Sequence, residues 1–218
     1  MMTHSDSSRV ARLLLCLFCT VICAHATGNE ASDRLEDIAE SADLQSYRQA
    51  VERSESDHGA YDNNLAEQLL GLGLELQRQD RHAEAVEVFK RGVHVARINS
   101  GLYSQQQIPL LRGQISSHIA LGQLTEADER QHNLYRVQIR SLGAGEQRAQ
   151  ALMQQAGWQL DAYRAGVGNP GFSRLMNMWD LYRLALTDMA ARDGETSPQL
   201  LEPLYGMLRA QYLIAGYD

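Results

Sequence analysis

Between Leu65 and Arg97 the chain reads LAEQLLGLGLELQRQDRHAEAVEVFKRGVHVAR, two amphipathic helical patterns joined by a short polar turn. Leu65, Leu69, Leu72 and Leu76 recur at three- and four-residue steps, and Ala85, Val86, Phe89 and Val93 repeat the rhythm after the break at Gln79–His82. A hairpin this short cannot bury both apolar faces by itself. It constrains the chain to folds in which similar units stack on it.

The rest of the chain supplies those units. A shift of 42 residues pairs Tyr47 with Phe89, Gly59 with Gly101, Tyr61 with Tyr103, Leu69 with Leu111, Gly71 with Gly113 and Ala85 with Ala127. A second shift takes Gly101 to Gly143, and two shifts take Gly73 to Gly157. The glycines at 59, 101 and 143 fall where helices should end, and a residue free to take positive φ suits a C-cap. The next member, Gly194, comes 51 residues later, and the cluster Ala165–Gly171 is the expected site of the nine-residue insertion. Past it, Tyr182, Gly194, Leu200, Glu202, Leu204 and Gly206 match Tyr47, Gly59, Leu65, Glu67, Leu69 and Gly71 at an offset of 135. The pattern predicts helices near 44–56, 63–79, 82–98, 104–121, 124–141, 146–165, 172–191 and 198–215.

Composition agrees with helix: of 218 residues only four are proline, and 44% are hydrophobic. The first 26 residues stand apart, since Arg9 and Arg12 precede an apolar run from Leu13 to Cys23 and then Ala24-His25-Ala26. That is the pattern of a secretory signal, and the run is too short for a retained span. The expected location is therefore the periplasm; the alternative is a chain anchored by an uncleaved signal. No integral membrane span is expected after cleavage. Cys16, Cys19 and Cys23 all lie in this segment, so the processed chain would have no disulfide or thiolate site. Residues 27–43 read as an acidic, flexible lead-in, and residues 44–218 as the repeat domain. Its hairpins fall near 64–99, 104–141 and 146–191, with a final helix over 198–215.

The formal net charge of −7, with nine acids against three bases over residues 27–60, argues against nucleic acid as a partner. No cofactor or metal is expected. His58, His82, His94, His118 and His132 lack the spacing of a helical metal pair with a third ligand nearby, and His118 reads as a hydrogen-bonded packing residue. Asp128-Glu129 and Glu36-Asp37 are adjacent, diverge on a helix, and read as solvated faces. Ser116-Ser117-His118 cannot bring nucleophile and base together for the same reason. The glycines near 168 lack the lysine and preceding strand of a phosphate loop. With no convergent catalytic residues, the chain does not read as an enzyme.

Leu72-Gly73, Leu76, Ala85, Phe89 and Gly92, in that order, resemble the tetratricopeptide repeat (TPR), and the 42-residue spacing is similar to its kinesin-light-chain type. The resemblance implies an all-α, right-handed superhelical solenoid of antiparallel helix pairs, with small residues admitting close helix approach. It further implies an interaction adaptor of the bacterial envelope that binds a protein segment on its concave face, which the first helices line. Carrying the hairpin register along, the partner-binding residues would include Glu67, Leu74, Arg78, Arg112, Ser116, Gln154, Trp158, Glu202, Tyr205 and Arg209. The alternative is a structural homo-oligomer, because the helix around Leu200–Ile214 carries an apolar face and the sequence supplies no further helix to cover it.

Overall fold

The computed structural model describes residues 42–168 and 171–217; the expected signal, and the lead-in up to residue 41, lie outside the described residues. The chain divides into two units, Met1–Ser46 and Tyr47–Asp218. Of the first, only residues 42–46 are described, and they begin helix α1 (42–58). The second holds α2 (Leu65–Arg78), α3 (His82–Ser100), α4 (Gln107–Ala120), α5 (Leu124–Ser141), α6 (Glu146–Arg164), α7 (Gly171–Asp193), a 3-10 turn (Pro198–Leu200) and α8 (Leu201–Ala215). All eight expected helices are present, with ends displaced by a few residues. The described residues contain no strand.

Each helix packs on its sequence neighbours, and the device that joins successive pairs is a repeated contact between residues 24 apart. A Cβ on Gly71 would stand 2.6 Å from the Tyr47 ring, one on Gly113 2.5 Å from Phe89, and one on Gly206 2.6 Å from Tyr182. Phe89 is fully buried, with Gly73 on its other side, where an added Cβ would also overlap the ring. In each case a ring fills the groove that a missing side chain leaves in the next first helix, so large and small residues interlock. The corresponding pair in the third unit is Gln131 and Gln155, both buried, with the Gln131 Nε2 donating to the Gln155 Oε1 at 3.1 Å. One joint is thus polar where the others are aromatic on glycine.

The turns repeat as well. Gly59, Gly101 and Gly194 have φ of 90°, 91° and 84°, and their N–H groups bond to the carbonyls of Glu55, Arg97 and Ala190. A side chain at that φ would be strained, which accounts for glycine at this point of the repeat. The expectation fails at Gly143, whose φ is not positive: α5 is closed instead by Leu142 in an extended conformation, its N–H donating to the Gln138 carbonyl. Between α2 and α3, and between α4 and α5, the N–H groups of Arg81 and Gln123 reach back to the carbonyls of Leu76 and His118 at 2.9 and 2.8 Å. Gly122 takes the positive φ in the second of these turns and Asp80 in the first.

Between α6 and α7 the inserted loop closes over a buried ion pair. Arg174, 4% exposed, donates through Nη2 to the Asp128 Oδ2 at 2.8 Å, through Nη1 to Oδ1 at 3.2 Å, and through Nε to the Val167 carbonyl at 2.8 Å. Asp128 on α5 is therefore held in a structural network. The reading of it as part of a solvated face is corrected here, because its partner lies 46 residues away in the sequence. His118 does take the packing role, with Nδ1 2.8 Å from the Gln123 Oε1.

Candidate partner-binding groove

Helices α2, α4, α6 and α8 are the first helices of successive pairs, and each junction between them opens a cavity. A space of about 450 Å³ lies between α2 and α4, lined by Asn64, Glu67, Leu70, Gln106 and Pro109. Pro109 also lines the next, of about 340 Å³, with Gln105, Ile108, Arg112, Gln150 and Gln154. Arg112 and Gln154 pass in turn into a third of about 340 Å³, with Ile115, Ser116, Trp158 and Asp161. Gln150 and Gln154 then border the largest, about 630 Å³, with Met153, Gln199, Leu201 and Glu202. Neighbouring cavities share lining residues, so they follow one another as a groove along the first helices.

The structure brings four of the expected residues together: Arg112, Ser116, Gln154 and Trp158 line one cavity. Glu67 and Glu202 line the cavities on either side along the groove. Leu74 and Arg78 lie on α2 outside these cavities, and Arg78 is committed to Glu75, with Nη2 2.6 Å from Oε1 and Nε 3.0 Å from Oε2. Tyr205 and Arg209 are exposed on α8, away from the groove cavities. Trp158 is only partly available, since its indole Nε1 donates to the Asp128 Oδ1 at 2.7 Å and its ring forms part of the groove floor. Burial by itself would raise the Asp128 carboxyl, but the Arg174 guanidinium and the Trp158 indole hold it below its ordinary value.

Residue-by-residue register named Gln154 but missed the rest of the groove's amide lining. Gln105 and Gln106 enter from the start of α4, and Gln147, Gln150 and Gln154 run along α6 at helical spacing. The signal was present as that spacing of glutamines in α6, a polar stripe on an otherwise alanine-rich helix. Among the described residues Glu67, Arg112, Asp161, Glu202 and Arg209 form no ion pair. Arg112 has one weak contact, its Nη2 3.4 Å from the Gln154 Oε1. The described residues hold no cluster of metal-ligating side chains.

Comparison with solved structures bears on this architecture. A crystal structure of nearly identical TPR-like repeats of kinesin-light-chain description, from Podosopora anserina, matches with a TM-score of 0.60 and 16% identity over 83% of this chain and 81% of that one. The fold is TPR-like. A point variant of the same repeats matches with a TM-score of 0.59 and 15% identity over the same shares. No protein-family model and no curated protein matches the sequence. The TPR-like solenoid is thus recovered from backbone geometry at an identity too low to carry anything beyond the fold.

Proposed function

We propose that the chain is a protein–protein interaction scaffold that holds an extended segment of a partner protein along the groove of α2, α4, α6 and α8. The supporting observation is the run of adjoining cavities with an amide-rich lining. A carboxamide offers a donor and an acceptor side by side, the same pair that an extended peptide backbone presents. The side chains of Gln105, Gln106, Gln150 and Gln154 each hold one intramolecular hydrogen bond and keep spare donors and acceptors that can bond to a backbone without selecting its side chains. Leu70, Ile108, Ile115 and Met153 offer apolar contact beside them, and the uncommitted charges of Glu67, Arg112 and Glu202 add selectivity. In this reading the chain is not an enzyme and works in the bacterial envelope, a location supported by the signal-like pattern of Arg9, Arg12 and Leu13–Cys23.

The test is affinity capture from envelope extract, followed by titration of the captured protein against groove variants. Arg112→Ala with Gln154→Ala is expected to weaken binding by roughly tenfold or more, because Arg112 lines two of the cavities and Gln154 three. If Arg112→Ala, Gln150→Ala and Gln154→Ala together leave every specific partner bound with unchanged affinity, the groove is not the binding surface.

A further inference from the structure

Helix α8 buries one side and leaves the other bare. Pro203, Gly206 and Ala210 face inward, while Leu201, Leu204, Tyr205, Leu208 and Tyr212 on the opposite side are 54%, 46%, 67%, 60% and 79% exposed. At the offset of 135, Leu201, Leu204 and Leu208 stand where α2 has Ala66, Leu69 and Gly73, all buried. In α2, Leu69 and Gly73 lie against Gly92 and Phe89 of α3. Leucine in place of Gly73 closes the notch that receives Phe89, so this face does not accept a second helix of that pattern. Its own spacing is different: Leu201, Tyr205, Leu208 and Tyr212 follow steps of four, three and four, the seam of a two-helix coiled coil.

We propose that α8 pairs with α8 of a second copy, antiparallel and about a two-fold axis near Gly206. Three observations select that occupant. In this register Tyr205 meets Leu208 of the second copy and Leu201 meets Tyr212, so the seam is complementary to itself, as an isologous interface requires. Glu202 and Arg209 lie seven residues apart on one flank of the seam, and neither has an ion-pair partner among the described residues. Antiparallel pairing sets Glu202 of each copy beside Arg209 of the other, forming two equivalent pairs; parallel pairing sets like flanks apart. Finally, the five bare residues expose roughly 600 Å² per copy, and covering both sets gives at most about 1,200 Å², the lower edge of the range of stable specific interfaces.

The seam shares Leu201 and Glu202 with the cavity between α6 and α8, so a dimer covers that end of the groove and leaves the cavities lined by α2, α4 and α6 open. The experiment is sedimentation velocity across a concentration series on the full-length product as its host processes it. A monomer–dimer equilibrium is expected, with Leu208→Glu raising the dissociation constant roughly tenfold or more by burying two charges at the seam. Glu202→Arg is expected to weaken the dimer by setting arginine against Arg209, and adding Arg209→Glu to restore it to within about threefold of the original. Far-UV circular dichroism controls for the fold of each variant; if Leu208→Glu loses helix, the surface charge exchange decides alone. A monomer at all concentrations, open-ended growth, a dimer indifferent to Leu208→Glu with its helix intact, or failure of the double exchange to restore pairing would each overturn the proposal.

Discussion

Replacing Gly113 by alanine should destabilise the chain even though the position is in a helix, and the structure sets the size of the loss. The new Cβ would lie 2.5, 2.7 and 2.7 Å from three atoms of the Phe89 ring. Carbon contacts are comfortable at about 3.5–4.0 Å, so the overlap is about 1 Å. The ring has nowhere to go, because Gly73 confines its other side. Overpacking of this kind costs about 1–3 kcal/mol, and a pinned ring belongs at the upper end. Alanine returns about 1 kcal/mol through helix propensity, leaving a net loss of about 2 kcal/mol. Gly157 in α6 is the control: nothing lies within 4 Å of its ideal Cβ, so Gly157→Ala should stabilise by about 0.5–1 kcal/mol. Urea unfolding followed by circular dichroism measures both. Phe89→Leu, combined with Gly113→Ala, should recover about 1 kcal/mol or more of coupling in a double-mutant cycle. Equal stability of the Gly113→Ala protein and the parent, or additivity with Phe89→Leu, would refute the ring-on-glycine lock.

The polar joint should answer differently. Gln131→Leu alone orphans the Gln155 amide and should cost about 1–3 kcal/mol, whereas Gln131→Leu with Gln155→Leu should be nearly neutral in the same unfolding assay. Asp128→Asn leaves the buried Arg174 guanidinium without its countercharge and should cost about 3 kcal/mol at neutral pH. The folded Asp128 carboxyl titrates below the ordinary aspartate value of about 3.9, so its stabilisation is present above that value. It is lost as pH falls through the lowered folded value. Thermal melts should therefore show the gap between the parent and Asp128→Asn closing as pH drops below about 4, and a gap that holds constant would exclude this ion pair as its source.

Periodicity carried the architecture because stacking residues must recur: Leu69 and Leu111, Gly71 and Gly113, Gly59 and Gly101 hold equivalent places in successive pairs. The lock itself joins residues 24 apart, and its parts were visible as separate matches of Tyr47 with Phe89 and of Gly71 with Gly113. What joined ring to glycine was their spatial meeting, which no single-helix pattern expresses. Asp128 shows the same limit more sharply. Beside Glu129 it has the look of surface charge, and only the fold brings Arg174 from α7 to it. Gly143 shows the reverse, a residue that keeps its place in the series after the turn around it has changed. In the groove, register placed Arg112, Ser116, Gln154 and Trp158 in one cavity. It carried Tyr205 and Arg209 onto the outer face of α8, because a position that lines the groove inside an array becomes bare surface where no first helix follows among the described residues.

Site-specific photocrosslinking in living cells tests the binding groove most directly. A photoreactive side chain at Ser116 or Gln154 sits in the groove, and one at Lys90 or Arg136 sits on exposed positions of the second helices. A discrete crosslink from Ser116 and Gln154, mapping to one short segment of a single partner and absent from Lys90 and Arg136, is the predicted result. Crosslinks to a specific partner from Lys90 or Arg136, with none from Ser116 and Gln154, would contradict it.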